Sequence, residues 1–345
     1  MGRLSYLTDS YDQKIKQINE IDAPFNFVFI TDMHSRLNEQ DLRERNVPFE
    51  QAEKSFAINA VESIQYILDR CPGINYVISG GDIGNDYDTD KQAIRDSIKE
   101  IMASLHSLSV PAHHCIGNHD DVTGGFRDGD YGDNNFADYA ILPDEMHELC
   151  MQSNPTDENY YYIDHDSDDG GYRLVFLNTS DKDYHINPET GIYDNYVEIS
   201  KKQENWIKTE ALKTDRKIIV FSHITVSHVG IYGAGAPPTR IAEENELING
   251  DNVYAILKEC PNVIALISGH VHADNVNMDG DLPTVTTVCA LIQQMALHEK
   301  CPAREIGTYT ETAFDVFSVK GDKLYITRFG AGLDRVVDIK RVNNL

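Results

Sequence analysis

Long apolar runs are missing from this chain. No stretch approaches the ~20 apolar residues that a membrane span requires. Residues 1–20 are polar and charged, without the apolar segment of a secretory signal, so the sequence reads as cytoplasmic. Cysteine is sparse as well. Six residues (Cys71, Cys115, Cys150, Cys260, Cys289 and Cys301) are scattered over 345 positions with no C-x-x-C pair, a usage that points to buried reduced thiols rather than a disulfide framework. Positive charge is scarcer still: 30 Lys and Arg stand against 56 Asp and Glu, a net charge of −26. Such a surface repels phosphate backbones, and no basic, aromatic-laced stripe offsets it, so non-specific nucleic-acid binding is disfavoured and no nucleic-acid partner is expected. Internal repeats and low-complexity tracts are absent too.

What is present is a repeated arrangement of short apolar runs that end in polar clusters. Phe27–Ile30 ends in Thr31-Asp32-Met33-His34, and the run from Ile74 ends in Gly80-Gly81-Asp82. Ala112–Ile116 ends in Gly117-Asn118-His119-Asp120, and Ile218–Phe221 in Ser222-His223. Val263–Ile267 ends in Ser268-Gly269-His270-Val271-His272. Runs of this kind fit buried strands. Two intervening stretches carry helical stripes: Phe56, Ala60, Val61, Ile64, Ile67 and Leu68 within 50–70, then Ile94, Ile98, Ile101, Met102, Leu105 and Leu108. Strand and helix alternate as in parallel βαβ units, which makes the fold α/β. Ligands of such sheets bind beyond the carboxyl ends of the strands, so the five clusters converge on one site.

The side chains delivered there point to metal. Asp32, His34, Asp82, Asn118, His223, His270 and His272 are oxygen and imidazole donors without a thiolate, a set that suits Mn, Fe or Zn. Seven ligands are too many for one tetrahedral zinc; two transition-metal ions sharing a carboxylate account for them. Asp82, after its Gly-Gly turn, is the bridging candidate. A pair of metals about 3.5–4 Å apart activates a water and clamps an in-line phosphoryl displacement, so a bridging hydroxide attacks phosphorus without a protein nucleophile. His119, left over once the ligands are assigned, is placed to protonate the leaving oxygen. Asp120 or Asn85 could orient its ring.

The ordered motifs D-x-H, G-G-D, G-N-H-D, a lone strand-end His and G-H-x-H resemble those of the calcineurin-like metallophosphoesterase superfamily from Asp32 to His272, about two-thirds of the chain. The resemblance implies two packed mixed β-sheets flanked by helices. It assigns Asp32, His34, Asp82 and His272 to one metal, and Asp82, Asn118, His223 and His270 to the other, with His119 as the catalytic histidine. Departures narrow the branch. Asp82-Ile83-Gly84-Asn85-Asp86 and G-N-H-D differ from the protein Ser/Thr phosphatases, which use G-D-x-V-D-R-G and G-N-H-E. Asn85 stands where purple acid phosphatases carry a tyrosine. The G-N-H-D form is closer to the cyclic-nucleotide and glycerophosphodiesterase branch, so the expected substrate is a small phosphodiester. A phosphomonoesterase or nucleotidase is the alternative, ahead of a nuclease or a non-catalytic protein-binding scaffold.

Several features take plainer readings. The whole chain, 1–345, is read as one domain with its core motifs in 27–272. A C-terminal hairpin over 313–329, turning at Gly321-Asp322, is expected to complete the second sheet. Residues before Phe25 read as a polar lead-in. Further elements are a short helix near Pro143–Met151, paired strands at Tyr160–Ile163 and Tyr172–Leu177, and a helix over Lys202–Lys213. His113 and His114 are structural strand residues. His228 is either a contact to substrate phosphate or a solvated loop residue. Asp86, Asp88 and Asp90 imitate a calcium loop but lack its Gly and Glu at the required offsets.

Overall fold

The structure, a computed structural model, describes residues 7–35, 54–84, 91–121, 140–181, 197–226, 247–290, 304–305 and 307–340. Two six-stranded mixed sheets face one another. The first runs β12-β11-β10-β1-β2-β3, where β1 is Phe25–Ile30, β2 Ile74–Ser79, β3 Ala112–His114, β10 Ala313–Lys320, β11 Lys323–Gly330 and β12 Arg335–Asp338. The second runs β4-β5-β6-β7-β9-β8, with β4 Tyr161–His165, β5 Tyr172–Phe176, β6 Lys217–Ser222, β7 Val263–Ser268, β8 Asn275–Asp279 and β9 Leu282–Thr286. Within the first sheet β1, β2 and β3 are parallel. Within the second, β5, β6, β7 and β9 are parallel.

Packing between the sheets explains why the strands read as unbroken apolar runs rather than alternating ones. Both faces of β1 are covered, and all six of its residues are buried. Between the sheets Phe25 stacks on Tyr172 at 4.3 Å and Phe27 meets the edge of Phe221 at 5.4 Å. The outer faces are covered by helices, among them α2 (Lys54–Leu68), α3 (Lys91–His106) and α4 (Pro143–Cys150), and the apolar stripes of α2 and α3 lie in the same core.

Several elements differ from expectation. The polar lead-in is a helix, α1 (Thr8–Ile21), which buries Tyr11, Ile15 and Ile18. Three apolar residues at helical spacing suffice because Tyr11 docks edge-on against Phe329 at 5.0 Å. The C-terminal hairpin completes the first sheet, not the second: β10 pairs antiparallel with β1, from Phe25↔Val319 to Phe29↔Asp315. Turn chemistry specifies a hairpin; which sheet edge it joins depends on long-range packing. The expected helix over Lys202–Lys213 is shorter, six α-helical residues (α5, Lys201–Trp206) followed by a π-helical turn at Ile207–Ala211. Helix α6 (Gly250–Glu259) and strands β8, β9 and β12 lie outside the sequence-level reading. Cys71, Cys115, Cys150, Cys260 and Cys289 are free thiols; Cys301 lies outside the described residues.

Candidate metal centre

The carboxyl ends of β1, β2 and β3 in one sheet, and of β6 and β7 in the other, open on the same edge of the sandwich. The seven expected ligands meet there. Asp32, His34 and His272 form one group and Asp82, His223 and His270 a second; within each, one ligand atom per residue lies within 4.8 Å of the others. Asn118 joins the second group, its Oδ1 3.1 Å from His223 Nε2. Asp82 Oδ2 is 3.0 Å from His223 Nε2 and 3.4 Å from His34 Nε2, so one oxygen faces both groups. His34 Nε2 is also 3.0 Å from His272 Nε2, which lies 3.2 Å from Asp32 Oδ1. At most one of two facing imidazole nitrogens can donate to the other, and such convergence of lone pairs fits a cation better than a hydrogen-bond network.

Backbone conformation carries the same message. Among the described residues, six non-glycine positions have positive φ: Asp22, Asp32, His34, Asp82, His270 and His272. Asp22 ends helix α1; the other five are candidate ligands. Left-handed backbone is uncommon for any residue but glycine, less so for Asp and His than for most, and it persists where the surroundings over-determine it, as at functional sites. Glycine permits the close approaches. A Cβ on Gly117 would be driven into the carboxylate and amide of Asp82, and one on Gly269 into Asp32 and Thr31.

Neighbouring groups fix the ligands in turn. Thr31 Oγ1 donates to Asp32 Oδ2 at 2.6 Å, and the His270 amide donates to the same carboxylate. His223 Nδ1 donates to the Gly80 carbonyl at 2.8 Å, turning Nε2 toward Asp82 and Asn118. Neither Thr31 nor the Gly80 carbonyl carries a readable sequence signal as a support. Burial raises the carboxyl pKa of Asp32 and of Asp82, but the surrounding histidines outweigh it and hold both well below the usual carboxylate range. Burial keeps His34 and His270 neutral, lowering them to about 4 and about 3. His223 is the exception: Asp82, Asp32 and the Gly80 carbonyl overcome burial and raise its pKa to about 9, so a cation bound there would take the place of its Nε2 proton. Ionised carboxylates and neutral imidazoles are the forms that bind metal.

His119 is half-buried beside this cluster. Its amide donates to Asp82 Oδ1 at 2.9 Å, and its ring lies 5.1 Å from that of His34. Asp120 is buried and held by backbone amides. Its carboxylate accepts the amides of Asp82 at 3.0 Å, Gly84 at 2.8 Å and Gly117 at 2.8 Å. It therefore braces the two turns that present Asp82 and Asn118. Its pKa rises to about 7 because burial and the nearby Asp82 both disfavour charge. His113 and His114 occupy β3 and are buried, as expected of strand residues. Asn85 and His228 lie outside the described residues.

No curated protein matches the sequence. Solved structures do resemble the fold. A dimetal phosphatase from Danio rerio (LOC 393393) superposes with a TM-score of 0.55 at 16% identity, covering 92% of this chain and 99% of that one. GAP50, described as the anchor in the inner membrane complex of Plasmodium, gives 0.54 at 13% identity, covering 94% and 91%. At such identities the likeness establishes the architecture. Sequence establishes more, because the model of calcineurin-like phosphoesterases matches residues 25–274, from the first residue of β1 to just beyond His272. The chain belongs to the calcineurin-like phosphoesterase family.

Proposed function

We propose that the protein hydrolyses phosphate esters with a dinuclear metal centre, and that small phosphodiesters are its preferred substrates. The observation that carries this reading is the meeting of two ligand groups at Asp82 Oδ2, which lies within 3.4 Å of a histidine from each. Asp32, His34 and His272 would hold one cation and Asn118, His223 and His270 the other, with Asp82 offered to both groups. Oxygen and imidazole donors suit Mn, Fe or Zn. A bound pair lowers the pKa of a water and polarises the phosphoryl oxygens for in-line displacement.

The remaining work falls to the chain. His119, tethered through its amide to Asp82, delivers the proton to the leaving oxygen. Asp120 keeps Asp82 and Asn118 in register. The surface charge of −26 disfavours polyanionic substrates and agrees with a compact diester bearing a single negative charge. The G-N-H-D form at Gly117–Asp120 supports the same preference. A phosphomonoesterase or nucleotidase would use the same residues. The fold is shared with the Plasmodium anchor, so architecture does not imply catalysis; a complete ligand set is what favours it here.

The test is elemental analysis after Mn reconstitution, with a turnover screen of bis(p-nitrophenyl) phosphate, cyclic nucleotides and glycerophosphodiesters against p-nitrophenyl phosphate and nucleotides. Two metals per chain and higher kcat/KM on diesters are expected. No bound transition metal and no turnover would leave a scaffold; turnover of monoesters alone would overturn the diester preference.

A further inference from the structure

Beyond His272 the chain enters a buried charge network that supplies none of the candidate ligands. Arg328 on β11 is 1% exposed. Its Nη1 and Nη2 donate to Asp274 Oδ2 and Oδ1 at 2.9 and 2.6 Å. Its Nε and Nη2 donate to Asp315 Oδ1 and Oδ2 on β10 at 2.8 and 3.0 Å. Arg335 on β12 joins from the sheet edge, reaching Asp315 Oδ2 at 2.5 Å and Asp274 Oδ1 at 3.3 Å. Asp274 also accepts the Val288 amide at 3.0 Å. Four charges thus bind the end of the His270–Asp274 loop, which leads into the second sheet, to the last hairpin of the first.

Stability alone is a weak reason for such an arrangement. A buried ion network of this size commonly contributes no more than well-packed apolar residues of equal volume, and its better-attested use is to fix one register. The loop it grips has need of one. His270 and His272 both sit at positive φ, a conformation that must be held from outside. On the near side the His270 amide is tied to Asp32. On the far side the Asp274 carboxylate, with Thr286 Oγ1 on the Ala273 carbonyl at 2.7 Å, fixes the chain one and two residues after His272. Asp274 is the last residue matched by the family model, and Arg328, Asp315 and Arg335 lie beyond it. The hairpin side of the clamp is therefore not part of the matched stretch.

We propose that Asp274, gripped by Arg328, is a positioning residue that sets His272 for metal binding. The inference rests on the dinuclear reading above. The experiment is isothermal titration of the metal-free full chain with Mn2+, paired with thermal unfolding. In Asp274→Asn one of the two Mn2+ affinities should fall about 10–100-fold, the range typical of groups that orient a ligand from behind. Asp315→Asn weakens the same network from the hairpin side; it should lower Tm while leaving both affinities within about threefold. Unchanged affinities in folded Asp274→Asn, or an equal loss in Asp315→Asn, would overturn the proposal. If Asp274→Asn does not fold, Arg328→Lys, which keeps the charge but loses the two-pronged donation to Asp274, decides: a several-fold weaker site supports the proposal and unchanged affinities overturn it. Wild-type chain that binds no Mn2+ would overturn both this inference and the dinuclear reading.

Discussion

Replacing Asp82 by Asn tests the shared ligand directly. The carboxylate is buried, takes the His119 amide on one oxygen and faces His223 and His34 with the other. The Asn side chain retains a neutral acceptor but not the charge that two cations would share. With free Mn2+ at one hundred times each Kd, binding to the native state alone adds about 2.7 kcal/mol per site. Unfolding entropy of about 2.1 cal/mol/K per residue over 345 residues converts about 5.4 kcal/mol for two sites into a Tm rise of about 7 °C. Wild-type chain should show this rise on Mn2+ addition, and Asp82→Asn should show almost none. Comparing each protein with and without metal cancels any effect of the substitution on the metal-free fold. Calorimetry at fixed free Mn2+, with phosphodiester turnover alongside, is the assay. An Asp82→Asn chain that binds two Mn2+ and rises by the same 7 °C would refute the bridging role.

His119→Ala should keep both metals, yet slow esters with poor leaving groups about 10²–10⁴-fold while sparing activated aryl esters; equal slowing of both classes in parallel kinetics would remove it as the acid. Asp120→Ala leaves three buried amides without their acceptor. At about 1–3 kcal/mol each, urea unfolding of the metal-free chain should show a loss of at least about 3 kcal/mol, and a loss below 1 kcal/mol would argue against the brace. His113 gives a pH prediction away from the metals. Burial, then the neighbouring His106, lowers its pKa to about 4, against about 6.5 in the unfolded chain. The unfolded state therefore binds the proton more readily. Stability is complete above pH 6.5 and falls as pH drops toward 4, by about 2 kcal/mol at pH 5. In chelator, His113→Phe should flatten the dependence between pH 7.5 and 5 by that amount; an unaltered slope would contradict the assignment.

Much of the site is written locally. A strand that ends in a polar cluster announces both a buried run and what it delivers, so Asp32, His34, Asp82, Asn118, His223, His270 and His272 could be named without coordinates. Asp120 shows the limit. Its place after His119 suggests service to that ring, whereas its carboxylate serves three amides from two turns, a distribution no local pattern encodes. Helix α1 was obscured because its polar residues outnumber Tyr11, Ile15 and Ile18, and only the docking of Tyr11 on Phe314 and Phe329 gives that stripe its meaning.

Residue order by itself determined the donor set, the parallel βαβ beginning, the C-terminal turn and a net charge of −26. Tertiary structure decided which sheet receives the hairpin, which backbone positions bear left-handed strain, and how Arg328 reaches across to Asp274. The reason is one of range. Periodicity and turn chemistry act within a few residues, whereas strand partnering and buried ion pairs are settled by whichever distant surface most fully removes apolar area and unpaired charge from water.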